Sequence, residues 1–262
     1  MTSLGTAAQP THPSTLARAT ARAGLWLHDH QQAIRRTQWI VILAYAALLI
    51  APTLAPAPTR HSRIWNDIVI FAQFAFWGVW WPFVLVSMVL VGRAWCGIFC
   101  PEGALSEFVS AHGRGRAIPH WVKWKGWPFV AFACTTLYGQ MVSVYQYPKP
   151  VVIVLGGSTL AAMAIGFLYG REKRVWCRYL CPVNGVFELL AKLAPLHFRV
   201  DRAAWGRWSG KPEPVNCAPL VPIRMMRGAS ACHMCGRCAG CKDAVALAPR
   251  SPSQEIVEVV GE

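Results

Sequence analysis

Ten cysteines are present in this 262-residue chain, and most of them lie in three tight groups. The groups are Cys96/Cys100, Cys177/Cys181 and Cys232/Cys235/Cys238, with Cys241 close behind the last. Neighbouring cysteines within a group are separated by two or three residues, which is typical of metal ligands rather than of loop-closing disulfides. The pattern therefore indicates cysteine-bound metal or redox chemistry.

The run CHMCGRCAGC at residues 232–241 has the spacing with which bacterial ferredoxins hold a [4Fe–4S] cluster. In those proteins the fourth ligand is a remote cysteine that is followed closely by proline. This rule favours Cys217, which lies in NCAP, and leaves Cys241 as the alternative. Zinc is the competing metal, but structural zinc sites usually combine two cysteine pairs that are a dozen or more residues apart. We therefore expect one cluster in this region.

An internal repeat surrounds the other two groups, because residues 95–101 read WCGIFCP and residues 176–182 read WCRYLCP. The offset is 81 positions, and Glu107 matches Glu188 at the same offset. If the two copies pack face to face, a second cluster site is possible, formed by Cys96, Cys100, Cys177 and Cys181. The alternative is that these cysteines are packed thiols or a redox-active pair, and that each proline starts a helix.

Four apolar segments are long enough to cross about 30 Å of hydrocarbon as helices. They cover residues 38–56, 68–91, 127–145 and 151–170, and none of them contains Asp, Glu, Lys, Arg or His. Ion pathways and membrane haem sites need such residues inside the spans, so a transporter or a b-type cytochrome is disfavoured. Each copy of the cysteine repeat directly follows the second helix of a hairpin.

The basic residues predict the orientation of these helices. Lys and Arg number four before the first span, two in the first loop, five in the second connection, one in the next loop and fourteen from residue 171 onward. The alternation places both termini in the cytoplasm. It also accounts for the net charge of +14 without nucleic acid, which we do not expect as a partner.

The sequence thus predicts an all-α membrane protein with four transmembrane helices in two repeated hairpins and a small cytoplasmic ferredoxin-like tail. Residues 1–37 are interpreted as a disordered cytoplasmic leader. Residues 38–194 form the membrane domain with its two Cys-x-x-x-Cys-Pro turns, and residues 195–262 form the iron–sulfur tail.

The order of these motifs resembles the membrane polyferredoxin family that includes the NapH and NosR proteins and the polyferredoxin subunit of bacterial ferrous-iron uptake systems. The resemblance implies a bacterial inner-membrane protein that passes electrons between a quinone pool or cytoplasmic donor and a partner redox protein. The chain departs from the family pattern in having one ferredoxin run where relatives commonly have two.

From this resemblance we expect an electron-transfer subunit of an oxidoreductase or metal-uptake system rather than an enzyme acting alone. Its expected partners are the lipid bilayer, redox proteins that are other subunits of a membrane complex, and quinol. The alternative functions are an assembly or maturation factor and a redox sensor, both of which would use cysteine-bound metal.

Overall fold

The protein is described here by a computed structural model that covers residues 14–210, 215–251 and 253–254. The described chain is mostly helical, and its two strands belong to the C-terminal tail. The helices are α1 Thr15–Asp29, α2 Gln31–Leu54, α3 Ile68–Val91, α4 Pro101–Ala111, α5 Trp127–Met141, α6 Pro148–Tyr169, α7 Val175–Tyr179, α8 Asn184–Ala191 and α9 Arg202–Arg207. The strands are β1 Leu196–Val200 and β2 Val245–Pro249, which pair antiparallel.

Three helices, α2, α3 and α6, are long and apolar enough to cross a membrane. This finding indicates a membrane protein and agrees with three of the four predicted spans. The other predicted span, residues 127–145, corresponds to α5, which has 15 residues. At 1.5 Å per residue α5 is about 22 Å long, which is shorter than the hydrocarbon layer.

Local sequence explains how the long helices begin and bend. The Asp67 carboxylate caps α3 by accepting the N–H groups of Val69 at 2.9 Å and Ile70 at 3.3 Å. Inside α3, residues Phe74–Trp80 form a wider π-type turn just before Pro82, which lacks the N–H that a regular helix needs there. A similar turn, Val152–Gly156, lies inside α6.

The predicted disordered leader is wrong for the part that the structure describes, whereas residues 1–13 lie outside it. Residues Thr15–Asp29 form α1, and α2 begins at Gln31, seven positions before the predicted span. Helix α1 packs on β2, where Gly24 lies so close to Leu247 that an added Cβ would be 2.9 Å from its side chain. A glycine at this position permits the close approach.

The tail has a small core of its own around the two-stranded sheet. Phe198 and Leu247 from the strands pack with Met234 and Ala239 from the loop that carries the ferredoxin run. Cys232 is buried in the same cluster. Hydrophobic packing between the two strands and the cysteine loop therefore stabilises the tail, and α1 covers β2.

Candidate iron–sulfur site

Both Cys-x-x-x-Cys-Pro turns are closed by the same backbone hydrogen bond. The Cys100 N–H donates to the Trp95 carbonyl, and the Cys181 N–H donates to the Trp176 carbonyl, each at 2.9 Å. The first turn starts as a short π-type helix, Trp95–Phe99, and the second starts as α7. The sequence repeat is therefore also a structural repeat, and each turn reverses its chain so that both of its cysteines face one space.

The structure brings the four turn cysteines together at one cavity of about 360 Å³. Cys96 and Cys177 are buried, and Cys100 and Cys181 are partly buried. All ten cysteines of the chain carry free thiols. Helices α2, α3, α4, α5, α6 and α8 all contribute to the rest of the wall, which is rich in aromatic side chains. The face-to-face arrangement expected from the repeat is thus present.

Burial controls the acidity of these thiols. It raises the pKa of Cys177 to about 12 and raises the pKa of Cys100 and Cys181 well above the usual value, and neighbouring thiolates add to both effects. Arg174 opposes the shift at Cys177, and the Gly103 N–H opposes it at Cys100. Because a metal centre binds thiolates, loading this site would release protons.

Two buried arginines line the turn site, and sequence reasoning did not single out their relationship. Arg93 and Arg174 are 2% and 1% exposed and precede Cys96 and Cys177 by the same three residues, at the 81-residue offset of the repeat. The Arg93 Nη2 atom lies 3.9 Å from the Cys96 sulfur. The sequence contains the signal, because Arg93 and Arg174 match at the same offset when the two copies of the repeat are aligned three positions further upstream.

Each arginine pairs with the glutamate of the other repeat. Arg93 Nη1 lies 3.5 Å from Glu188, and Arg174 Nε lies 2.7 Å from Glu107. Arg93 also donates to the Asn184 side chain at 2.6 Å. This reciprocal exchange joins the two turns across the pseudo-twofold axis, and it offsets the negative charge that four thiolates would bring.

The tail brings Cys232, Cys235, Cys238 and Cys217 into one electrostatic group. Burial, together with the charges of Cys235 and Cys217, raises the pKa of Cys232 to about 12. Burial also raises the pKa of Cys238, to which Cys232, Cys235 and Cys217 add. The Cys232 sulfur accepts the Met234 N–H at 3.4 Å, which would stabilise a thiolate ligand.

Both candidates for the fourth tail ligand, Cys217 and Cys241, are partly buried against the tail core. Cys217 interacts electrostatically with three cysteines of the run, and the preference for Cys217 over Cys241 rests on the proline that follows Cys217 by two positions. The ligand assignment stays a prediction. Among the residues that the structure describes, no group of three His, Cys, Asp or Glu side chains is arranged to hold a single metal ion. In a cubane, by contrast, each cysteine binds its own iron atom.

The chemistry of both thiol groups fits [4Fe–4S] clusters. Each supplies four sulfur donors, and each has a buried polar N atom without a partner: Arg93 Nε at the turns and His233 Nδ1 in the tail run. Groups in such positions can donate hydrogen bonds to cluster sulfur. The cysteines would hold the clusters, which would supply one-electron transfer.

The ferredoxin run lies directly on the first turn. A Cβ added at Gly97 would be 2.0 Å from the His233 carbonyl oxygen and 3.1 Å from the Cys235 Cβ. Two glutamines of α2 strengthen this contact: Gln31 donates to the Cys235 carbonyl at 2.9 Å, and Gln38 donates to the Gly97 carbonyl at 3.0 Å. The two thiol groups are therefore close neighbours at one end of the helices.

Comparison with known proteins supports this chemistry. Residues 73–119 and 153–201 match the family model described as a 4Fe-4S binding domain. Each matched segment contains one of the two turns, so the repeat seen in the cysteines is also the repeat of the family model. The predicted iron–sulfur cofactor is confirmed.

Three curated relatives are similar to parts of the chain. "Putative electron transport protein YccM" of Escherichia coli is 26% identical over 54% of this chain and 45% of its own length. "Regulatory protein NosR" of Pseudomonas aeruginosa is 27% identical over 60% of this chain and 25% of its own. "Protein NirI" of Paracoccus denitrificans is 28% identical over 48% and 21%. The chain thus spans less than half of each relative.

These similarities confirm the predicted resemblance to polyferredoxins of the NosR type. No solved structure matches the chain significantly.

Proposed function

We propose that this iron–sulfur protein of the NosR-like polyferredoxin type transfers electrons through two adjacent [4Fe–4S] sites at the cytoplasmic face of a membrane. One site would use Cys96, Cys100, Cys177 and Cys181, and the other would use Cys232, Cys235, Cys238 and Cys217. The observation that carries the proposal is the backbone contact between Gly97 and residues 233–235, which sets the two thiol groups side by side.

The proposed topology follows from the basic residues and the positions of the helix ends. The turns follow the last residues of α3 and α6, and α2 begins beside them, so all proposed ligands belong to one end of the bundle. The Lys and Arg alternation makes that end cytoplasmic, with α5 as the fourth membrane element. An electron partner would then approach the tail from the cytoplasm.

The first experiment counts clusters. Protein purified without oxygen is expected to contain about eight iron and eight sulfide per chain, because each cubane holds four of each. Cys235→Ser should remove the tail cluster and leave the turn cluster, whereas Cys177→Ser should do the reverse. Iron content equal to the wild type in either variant would contradict the proposed ligand set.

Quinol is the proposed electron donor, because the cavity beside the turn cysteines extends into the apolar part of the bundle. Its far wall contains Trp77, Trp80 and Phe132, and Ser158 and Thr135 supply hydroxyl groups. A flat, amphipathic ring with hydrogen-bonding oxygens suits such a pocket. A donor there would lie next to the turn cysteines.

A pair of neighbouring substitutions tests the quinol site. Val154 lines the cavity, whereas Ile153 is 59% exposed and is not among its lining residues. Val154→Trp should fill the cavity and slow cluster reduction by a quinol analogue, while reduction by dithionite stays normal. Ile153→Trp should leave both rates unchanged. Normal quinol reduction in Val154→Trp would exclude this cavity as the donor site.

A further inference from the structure

The Glu107 carboxylate lies between two arginines. Its Oε2 atom is 2.7 Å from Arg174 Nε, and its Oε1 atom is 2.5 Å from Arg237 Nη2. Burial by itself raises the pKa of Glu107, but the two guanidinium groups outweigh it and hold that pKa below its usual value. A largely buried carboxylate with two charged partners is a strong local constraint, because removing it leaves both cations without their counter-ion.

The two arginines belong to different candidate sites. Arg174 precedes Cys177, and its guanidinium donates to the carbonyls of Cys96 and, at 3.5 Å, Gly97. Arg237 lies between Cys235 and Cys238 in the ferredoxin run. One carboxylate therefore connects the membrane turns with the tail loop.

The ferredoxin loop also forms hydrogen bonds with residues of α1 and α2. The Arg237 Nε atom donates to Gln31 Oε1 at 3.3 Å, and the Arg237 carbonyl lies 3.0 Å from His28 Nδ1. Arg237 is therefore held on two sides, by α1 and α2 and by Glu107 of α4. This arrangement fixes its position relative to the turns.

The repeat supplies a natural control residue. Glu188 matches Glu107 at the 81-residue offset, yet it is 35% exposed and its arginine contact, to Arg93, is 3.5 Å long. Glu188 also accepts the Asn184 side chain at 2.9 Å. Two glutamates that are equivalent by sequence thus differ in burial and in the kind of partner they bind.

We infer that Glu107 is a positioning residue that sets the spacing between the turn site and the tail site by holding Arg174 and Arg237 together. Electron transfer between two centres depends steeply on their separation, and a loop that keeps its contacts with α1 and α2 but loses Glu107 would sample longer separations. The inference rests on the proposed function, since it concerns the transfer between the two proposed clusters. Glu188 has no such role.

The test compares Glu107→Gln with Glu188→Gln in the full chain, purified without oxygen in detergent. The first readout is the magnetic interaction between the two reduced clusters, seen as splitting or broadening of the electron paramagnetic resonance signal. We expect it to be lost or weakened in Glu107→Gln and unchanged in Glu188→Gln, with iron content normal in both. Arg237→Gln should reproduce the Glu107→Gln spectrum.

The second readout is hydrogen exchange of the amides in residues 232–241, which does not depend on activity. Loss of the two charge-assisted contacts should raise exchange about tenfold in Glu107→Gln and leave it unchanged in Glu188→Gln. Equal spectra and equal exchange in the two variants would overturn the inference.

A further variant covers the case in which Glu107→Gln fails to assemble. Glu107→Asp keeps the charge on a shorter side chain, so we expect normal iron and a weakened interaction; a full wild-type interaction there would overturn the inference. Wild-type protein with iron for one cluster would instead refute the two-cluster function, whatever the variants show.

Discussion

The two cysteine turns share one backbone hydrogen bond, but they differ at the residue that follows the first cysteine. The first turn has Gly97, on which the ferredoxin run packs, and the second has Arg178 at the equivalent position. Each turn nevertheless retains its buried arginine and its hydrogen bond from the second cysteine. The repeat thus accounts for the matched set of four thiols, and the small residue Gly97 leaves room for the tail to pack on the first copy.

The largest expected effect comes from exchanging this difference. Gly97→Val should prevent the run from docking, because its Cβ would overlap a backbone oxygen that no side-chain rotation can move. The expected cost is about 3 kcal/mol or more. Faster tryptic cleavage after Arg237 and loss of tail-cluster iron would measure it.

The matched control is Arg178→Val in the second turn. The ferredoxin run packs on Gly97 of the first turn. A substitution in the second turn should therefore leave the cleavage rate and the iron content near wild type. If both valine variants gave the same cleavage rate, the assignment of the tail to the first turn would be wrong.

A second prediction concerns which cysteine is the fourth ligand of the tail site. Cys217→Ser should reduce tail-cluster iron strongly, because Cys217 shares its electrostatic environment with three cysteines of the run. Cys241→Ser should retain most of that iron. Iron and sulfide analysis of both variants decides between them, and loss of iron from Cys241→Ser with none from Cys217→Ser would reverse the assignment.

The smallest expected effect is at Gln38, which donates to the Gly97 carbonyl from the interior of α2. Gln38→Leu should lower stability by about 1 kcal/mol, the usual net value of one hydrogen bond, since Arg174 still faces that carbonyl. Thermal unfolding of the membrane domain in detergent would show a small shift, with iron content unchanged. A drop in iron content would mean that Gln38 contributes more to the position of the first turn than one hydrogen bond.

The sequence was sufficient to predict the features that depend on local spacing. Three long apolar helices, the repeated turns and the grouping of Cys96 and Cys177 in one cavity all follow from residue type and offset. The iron–sulfur cofactor was also predicted from cysteine spacing; the family match supports the cofactor, and its placement at the tail run stays a prediction. Such signals are visible because each depends on residues close together in the chain or at one fixed offset.

Features that depend on tertiary contact were missed. Helix α1 was expected to be disordered because its sequence is polar, yet Gly24 and Leu27 give it a surface that fits β2 and the ferredoxin loop. The exchange of Arg93 and Arg174 between repeats requires the orientation of both turns, which spacing alone does not provide. The early end of α5 at Met141 is likewise absent from the hydropathy pattern.

The position of α1 has a consequence for how the protein is made. This helix is synthesised before any of the apolar spans, but the strand and the cysteine loop that it covers are synthesised after all of them. Helix α1 must therefore wait until β2 and the cysteine loop have been synthesised before it can pack on them. A bulky fusion close to Thr15 is therefore expected to disturb the packing of the tail more than the packing of the long apolar helices.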